Sequence, residues 1–122
     1  MAKAIGLGGI FFKSRDPVAL SAWYAKHLGL PLEDWGGVRF DEDAARPGST
    51  LWAPFAADTG YFAPSTQPYM INFRVDDLDA LLTQLRAAGV TVDERTDNNE
   101  LGRFGWIMDP DGTRIELWQP PA

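Results

Sequence analysis

The sequence predicts an α+β domain built from two copies of one strand, helix and three-strand unit. The first observation is a repeat. Gly8-Gly9-Ile10-Phe11-Phe12-Lys13-Ser14-Arg15-Asp16, leading to Leu28-Gly29-Leu30, returns as Tyr69-Met70-Ile71-Asn72-Phe73-Arg74-Val75-Asp76-Asp77, leading to Ala88-Gly89-Val90. The second is a repeated closing phrase, Leu51-Trp52-Ala53-Pro54 and Leu117-Trp118-Gln119-Pro120. Self-similarity at a shift of roughly 60 residues marks an architecture made from copies of one supersecondary unit. The third is length: 122 residues are too few for two ordinary domains, so the copies are expected to share one core. Module 1 is placed at about 1–54, a linker at 55–68 and module 2 at 69–122.

The first copy opens on a strand over 5–13, with Ile10 and Phe12 on one face and Gly9, Phe11 and Lys13 on the other. Asp16 then caps a helix that begins at Pro17, where a missing N–H costs least. Leu20, Trp23, Tyr24, His27 and Leu28 fall at helical spacing as a buried stripe, and Gly29 ends the helix. Strands over 31–35 and 38–41 are joined by Gly36-Gly37, a pair suited to a two-residue turn, and a further strand over 49–53 follows Pro47-Gly48.

Pro54 just before it, with Pro64 and Pro68 inside it, makes 55–68 a linker, whose Phe55, Tyr61 and Phe62 suit a lid or an arm on a partner subunit. In the second copy a strand over 69–75 precedes Asp76-Asp77, which caps a helix over 78–88 before Gly89 stops it. Strands over 91–95, 101–108 and 113–119 follow, the last two joined by the turn Asp109-Pro110-Asp111-Gly112. Asp97-Asn98-Asn99-Glu100 reads as a solvated turn, because it lacks the alternating ligands and central glycine of a calcium loop.

A hydrophobic content of 45% with 23% charged residues is that of a folded globular protein. The net charge of -6 and pI near 4.6 argue against a nucleic-acid backbone or an anionic membrane as partner. With no cysteine, disulfides, thiolate nucleophiles and Cys-based zinc sites are excluded together, and a cytoplasmic location is compatible. No apolar run approaches the roughly 20 residues that span a bilayer, so a soluble, unprocessed chain is expected.

The order of elements, with Asp16-Pro17, the helix from Trp23-Tyr24 to Leu28-Gly29, Val75-Asp76-Asp77-Leu78-Asp79 and Asp109-Pro110-Asp111-Gly112-Thr113-Arg114-Ile115-Glu116-Leu117, resembles the glyoxalase/bleomycin-resistance/dioxygenase superfamily, also called vicinal oxygen chelate proteins. The resemblance implies two βαβββ modules whose sheet curls into a cup, with helices outside and a ligand site within. It also implies a homodimer. Its members include metal-dependent isomerases, dioxygenases and thiol transferases beside proteins that sequester antibiotics, and the motifs quoted support the fold more than any one activity.

The resemblance also places a metal ligand on the first and last strand of each module. Those positions read Gly9, Thr50, Met70 and Glu116, of which only Glu116 supplies a charged oxygen. A Zn, Fe, Mn or Ni centre needs three or more suitable donors, so no metal cofactor is expected. His27, the single histidine, lies on a helix outside the cup and reads as a packing or surface residue.

Alternation along the last strand sets Arg114, Glu116 and Trp118 opposite Ile115 and Leu117. Glu116 is either a general base or cation anchor facing the cup, or the structural partner of a nearby Arg or Lys; the pattern leaves both open. Lys13 and Arg74 occupy equivalent places on the two opening strands and read as snorkelling side chains. Five tryptophans are many for this length, and the expected ligand-binding set is Phe11, Trp52, Met70, Asn72, Arg74, Trp106 and Trp118, unless the aromatics simply fill the barrel. The function expected is the binding of a small aromatic or cationic molecule without metal. The alternatives are a lyase, isomerase or dioxygenase-related enzyme using an atypical metal site or Glu116 as base, and a module with a filled, vestigial cup.

Overall fold

The computed structural model describes residues 1, 3, 7 and 9–122. The chain divides into two compact units, Met1–Pro54 and Phe55–Ala122.

In the first unit, helix α1 (Pro17–Leu28) forms with the caps its sequence calls for. The Asp16 carboxylate accepts from the Ala19 backbone N–H at 3.1 Å, and Pro17 opens the helix where its lack of an N–H is harmless. Gly29 closes it at φ 68°, a left-handed conformation that L side chains resist, and donates to the Ala25 carbonyl. The expected stripe is narrower than its spacing implies. Leu20 and Tyr24 are buried, while Trp23, His27 and Leu28 are only half-buried.

The strands expected over 31–35 and 38–41 reduce to a single antiparallel bridge between Leu32 and Val38 around the Gly36-Gly37 turn. Of the expected opening strand, Ile5, Gly6 and Gly8 lie outside the described residues, and 9–13 carry no strand pairing. Residues 49–53 carry none either. The physical reason is that a strand exists only through a ladder with a neighbour. No described segment of this unit offers such a ladder, and Leu51 and Trp52 stay exposed.

The second unit holds the full strand, helix and three-strand order: β1 (Ile71–Arg74), α2 (Leu78–Ala87), β2 (Val92–Asn99), β3 (Gly102–Met108) and β4 (Arg114–Gln119). The sheet order is β1-β4-β3-β2. β1 runs parallel to β4, whereas β3 pairs antiparallel with both β4 and β2. This is an open mixed sheet in an α+β fold. The turn from β3 to β4 is held by Asp109, whose Oδ1 accepts from the Asp111 and Thr113 N–H groups at 2.8 and 2.9 Å.

One face of the sheet carries the core. Ile107, Ile115 and Leu117 present their side chains there and are at most 1% exposed, as is Leu78 of α2. Leu82 and Leu85 add the next turn of the same helical stripe. Helix α2 starts at Asp77, whose side chain accepts from Ala80 N–H, and its first N–H, on Leu78, donates to Gln119 Oε1 at 2.8 Å. It ends when Val90 N–H bonds the Leu85 carbonyl and Gly89 N–H the Arg86 carbonyl, a Schellman closure. The segment expected as a turn at 97–100 is a correction: Asp97, Asn98 and Asn99 extend β2 by pairing with Phe104, Arg103 and Gly102. Among the described residues no helix is long and apolar enough to cross a membrane.

Candidate functional site

The candidate site is the sheet face of the second unit opposite α2. Because Ile115 and Leu117 turn toward the helix, strand alternation turns Arg114, Glu116 and Trp118 the other way. The register then sets Asn72 of β1 on one side of Glu116 and Trp106 of β3 on the other. Both neighbours donate to the carboxylate. Asn72 Nδ2 reaches Oε1 at 2.8 Å and Trp106 Nε1 reaches Oε2 at 2.9 Å.

A third donor comes from outside the sheet. The segment 55–68 returns across this face, anchored to the β3–β4 turn by the Ser65 hydroxyl on the Gly112 carbonyl and by Gln67 Nε2 on the Asp111 carbonyl. It places the Tyr61 hydroxyl 2.5 Å from Glu116 Oε2 as donor. Phe55 stacks on the Tyr61 ring at 5.6 Å, and Tyr61 meets Trp106 edge-on at 6.2 Å. Burial, then the hydrogen bond to Glu116 and its negative charge, push the Tyr61 hydroxyl up to about 12. Tyr61 is therefore a neutral donor throughout the physiological range.

Two guanidinium groups, each paired with a carboxylate, flank Trp106. The guanidinium groups of Arg95 and Arg114 lie 5.4 and 5.2 Å from its ring centre. Arg95 is held by two bonds to Asp97, at 3.2 and 2.9 Å. Arg114 Nη1 donates to Asp93 Oδ2 at 3.3 Å, and Asp93 Oδ1 accepts from the Arg95 backbone N–H. That backbone bond, ahead of the contribution from Arg114, holds the Asp93 carboxyl below its usual range.

Of the residues expected from the sequence, the structure brings together Glu116, Asn72 and Trp106. Trp118 sits one rung along the same face, stacked parallel on Phe104 at 6.1 Å, with its indole N–H on the Leu101 carbonyl. Arg74 is opposite Trp118 in the register and is exposed. Met70 precedes β1 and is half-buried. Phe11, Trp52, Gly9 and Thr50 belong to the first unit, where Phe11 and Trp52 are exposed. Trp106 is 1% exposed, so its ring is no open stacking surface.

Sequence reasoning did not assign Arg95, Asp93 or Phe104 to the site, offered Tyr61 only as part of a lid or arm, and placed Arg114 on the face of Glu116 without giving it a role. Alternation from Glu116 was the available signal for Arg114. For Tyr61 the only signal was the aromatic content of a proline-rich segment.

A divalent metal does not fit this set. The Glu116 oxygens already accept from three N–H and O–H donors. Among the described residues there is no group of three or more His, Cys, Asp or Glu side chains placed to hold an ion. Such a set lacks the donor number that these metals need.

The family model of the glyoxalase-like domain matches residues 9–118. The antibiotic-binding protein TnmS3 from Streptomyces sp. CB03234 is 29% identical over 84% of this chain and 84% of its own, with a TM-score of 0.50. A glyoxalase/bleomycin resistance protein from the same Streptomyces is 41% identical, over 40% of this chain and 42% of that one, with a TM-score of 0.37. A protein from the mobile metagenome of V. Pseudocholerae shares the fold at 17% identity, over 95% and 99% of the two chains, with a TM-score of 0.51. The match thus spans less than half the length of some of these solved structures. No curated protein matches the sequence. On the family match over residues 9–118, this chain belongs to the glyoxalase-like domain family, within the glyoxalase/bleomycin-resistance/dioxygenase superfamily.

Proposed function

We propose that this protein binds a small aromatic molecule on the Glu116 face of its second unit and does not transform it. The observation that carries the reading is the state of Glu116. A general base needs a lone pair aimed at a substrate proton, whereas three of this carboxylate's roughly four acceptor sites are taken by Tyr61, Trp106 and Asn72 and the residue is 8% exposed. It serves as the fixed centre of a polar network that orders four segments of chain. What remains for a ligand on the same face is the half-buried Phe104–Trp118 pair beside the exposed Arg74 and, toward the start of β4, the space beside Trp106 and Arg114.

Support also comes from TnmS3, described as antibiotic-binding, which is similar along most of both chains. In this reading no metal takes part, and the protein acts as a cytoplasmic homodimer. Sedimentation of the purified protein tests the second of these.

The binding reading is tested by tryptophan-fluorescence titration against a panel of neutral and cationic aromatic antibiotics. Saturable quenching with the ligand recovered unchanged is expected. A panel without saturable binding, or a recovered ligand that has been converted, would sink it.

A further inference from the structure

We infer that the cavity beside Trp106 in the second unit receives the carbonyl end of an aromatic ligand, with Arg114 as the donor. This rests on the binding reading above and narrows it to a ligand class.

The cavity measures about 150 Å³ and is lined by Thr91, Asp93, Trp106, Met108 and Arg114, together with Pro64, Val92 and Ile107. Drug-sized sites run to roughly 300–1,000 Å³, so this one holds a single ring or the polar end of a larger molecule. Its walls are mainly apolar. The exception is a charged pair, and that pair is poorly matched.

Arg114 is 7% exposed, yet its guanidinium carries five N–H donors. Its one side-chain partner is Asp93, at a long 3.3 Å. Its Nε is buried with no acceptor in the protein, the only described side-chain nitrogen or oxygen in that condition. Buried donors are costly to leave unmatched, and native proteins rarely leave them so. Arg114 lines the cavity, so an acceptor that enters and displaces the side chains closing over Nε would meet a donor already stripped of water.

Charge then selects among acceptors. A cationic group would meet the guanidiniums of Arg95 and Arg114, which already occupy the cation positions over Trp106. A carboxylate would meet Asp93, which lines the same cavity and is held in its charged form by the Arg95 backbone N–H and by Arg114. The Arg114–Asp93 pair is neutral overall. A neutral carbonyl oxygen supplies lone pairs without adding charge, and an attached ring fits the apolar remainder.

Four one-ring probes test this: acetophenone, its non-polar counterpart ethylbenzene, benzoate and benzylammonium. Each is titrated into ¹⁵N-labelled protein while the Arg114 Nε–H and Trp106 Nε1–H signals are followed by NMR. Acetophenone is expected to bind about tenfold tighter than ethylbenzene, the worth of one hydrogen bond to a charged donor, and to move the Arg114 Nε–H signal downfield. Arg114→Lys keeps the charge but removes the Nε–H, and it is expected to erase that preference.

Equal affinity for acetophenone and ethylbenzene, or an unmoved Arg114 signal, overturns the carbonyl assignment even where binding occurs; solvent then satisfies the guanidinium. Tightest binding of benzoate or benzylammonium overturns it in favour of that class. The wild-type comparison needs no variant to fold. If none of the four probes and none of the antibiotic panel binds, the binding reading itself falls.

Discussion

The Tyr61 hydroxyl donates to the Glu116 carboxylate across 55 residues of chain. This bond ties a proline-rich segment with no regular secondary structure to the central strand of the second unit. It also fixes what Tyr61 can do with pH. The folded-state value of about 12 lies above the ordinary tyrosine value of 10.0. A group raised in this way contributes stability that is fully present below pH 10 and is lost as pH rises toward 12. Of the three tyrosines, Tyr61 is expected to appear as a late phase in the alkaline phenolate absorbance titration. Tyr61→Phe should remove that phase and flatten the decline in stability between pH 10 and 12. A titration of Tyr61→Phe that superimposes on wild type apart from amplitude at pH 10 would sink the assignment.

Glu116 is surrounded by donors, so even the isosteric change at this position is not conservative. Glu116→Gln keeps the shape but removes the charge and puts an NH₂ group either against the Trp106 and Tyr61 donors or against Asn72, whose amide must then turn its oxygen inward. The cost expected is about 1–3 kcal/mol, the range for leaving buried polar groups unmatched. Urea denaturation reads it directly. Stability equal to wild type would show that the network is worth nothing to the fold. The Trp106 indole N–H, read by NMR, should move upfield as it loses a charged acceptor.

The placement of Glu116 was legible because strand alternation is a local rule. Ile115 and Leu117 had to share the core face, which left Arg114, Glu116 and Trp118 on the other. Helix α1 and the turn at Asp109 were legible for the same reason, since caps and turns are written in a few adjacent residues. Tyr61 was not, because no period links a loop residue to a strand 55 residues on. The expected strands over 5–13, in its described part 9–13, and over 49–53 show the converse. Their alternation fits a half-buried strand, but propensity does not supply the neighbouring ladder, and the described residues of the first unit carry none. At 97–99 the polar composition suggested a turn, while pairing with β3 made it strand.

Helix α2 depends on one side chain for its start. The Asp77 carboxylate accepts from Ala80 N–H at 3.1 Å, satisfying one of the donors that a helix leaves unmatched at its N-terminus. Asp77→Ala is expected to cost about 1 kcal/mol. Asp77→Asn or Asp77→Ser, which restore an acceptor of the right reach, should recover most of it. The measurement is the denaturation midpoint of the three variants. Equal losses in all three would mean that the charge at the helix terminus matters and the hydrogen bond does not.

Helix α2 also depends on an absence of side chain. A Cβ at Gly105 would stand 3.0 and 3.2 Å from the two δ-carbons of Leu82, and Leu82 is itself 3% exposed. Gly105→Ala therefore overfills the helix–sheet contact, at an expected cost of about 1–3 kcal/mol. Leu82→Ala opens a cavity at the same point and should cost about 2–5 kcal/mol. The two defects are opposite in sign of volume and lie in direct contact, so their energies should not add. The double variant is expected to be less destabilised than the sum of the singles, because the new methyl group partly fills the space that Leu82 vacates. Strict additivity in urea denaturation would show that α2 shifts as a body to admit the methyl group, and that the sheet does not fix its distance.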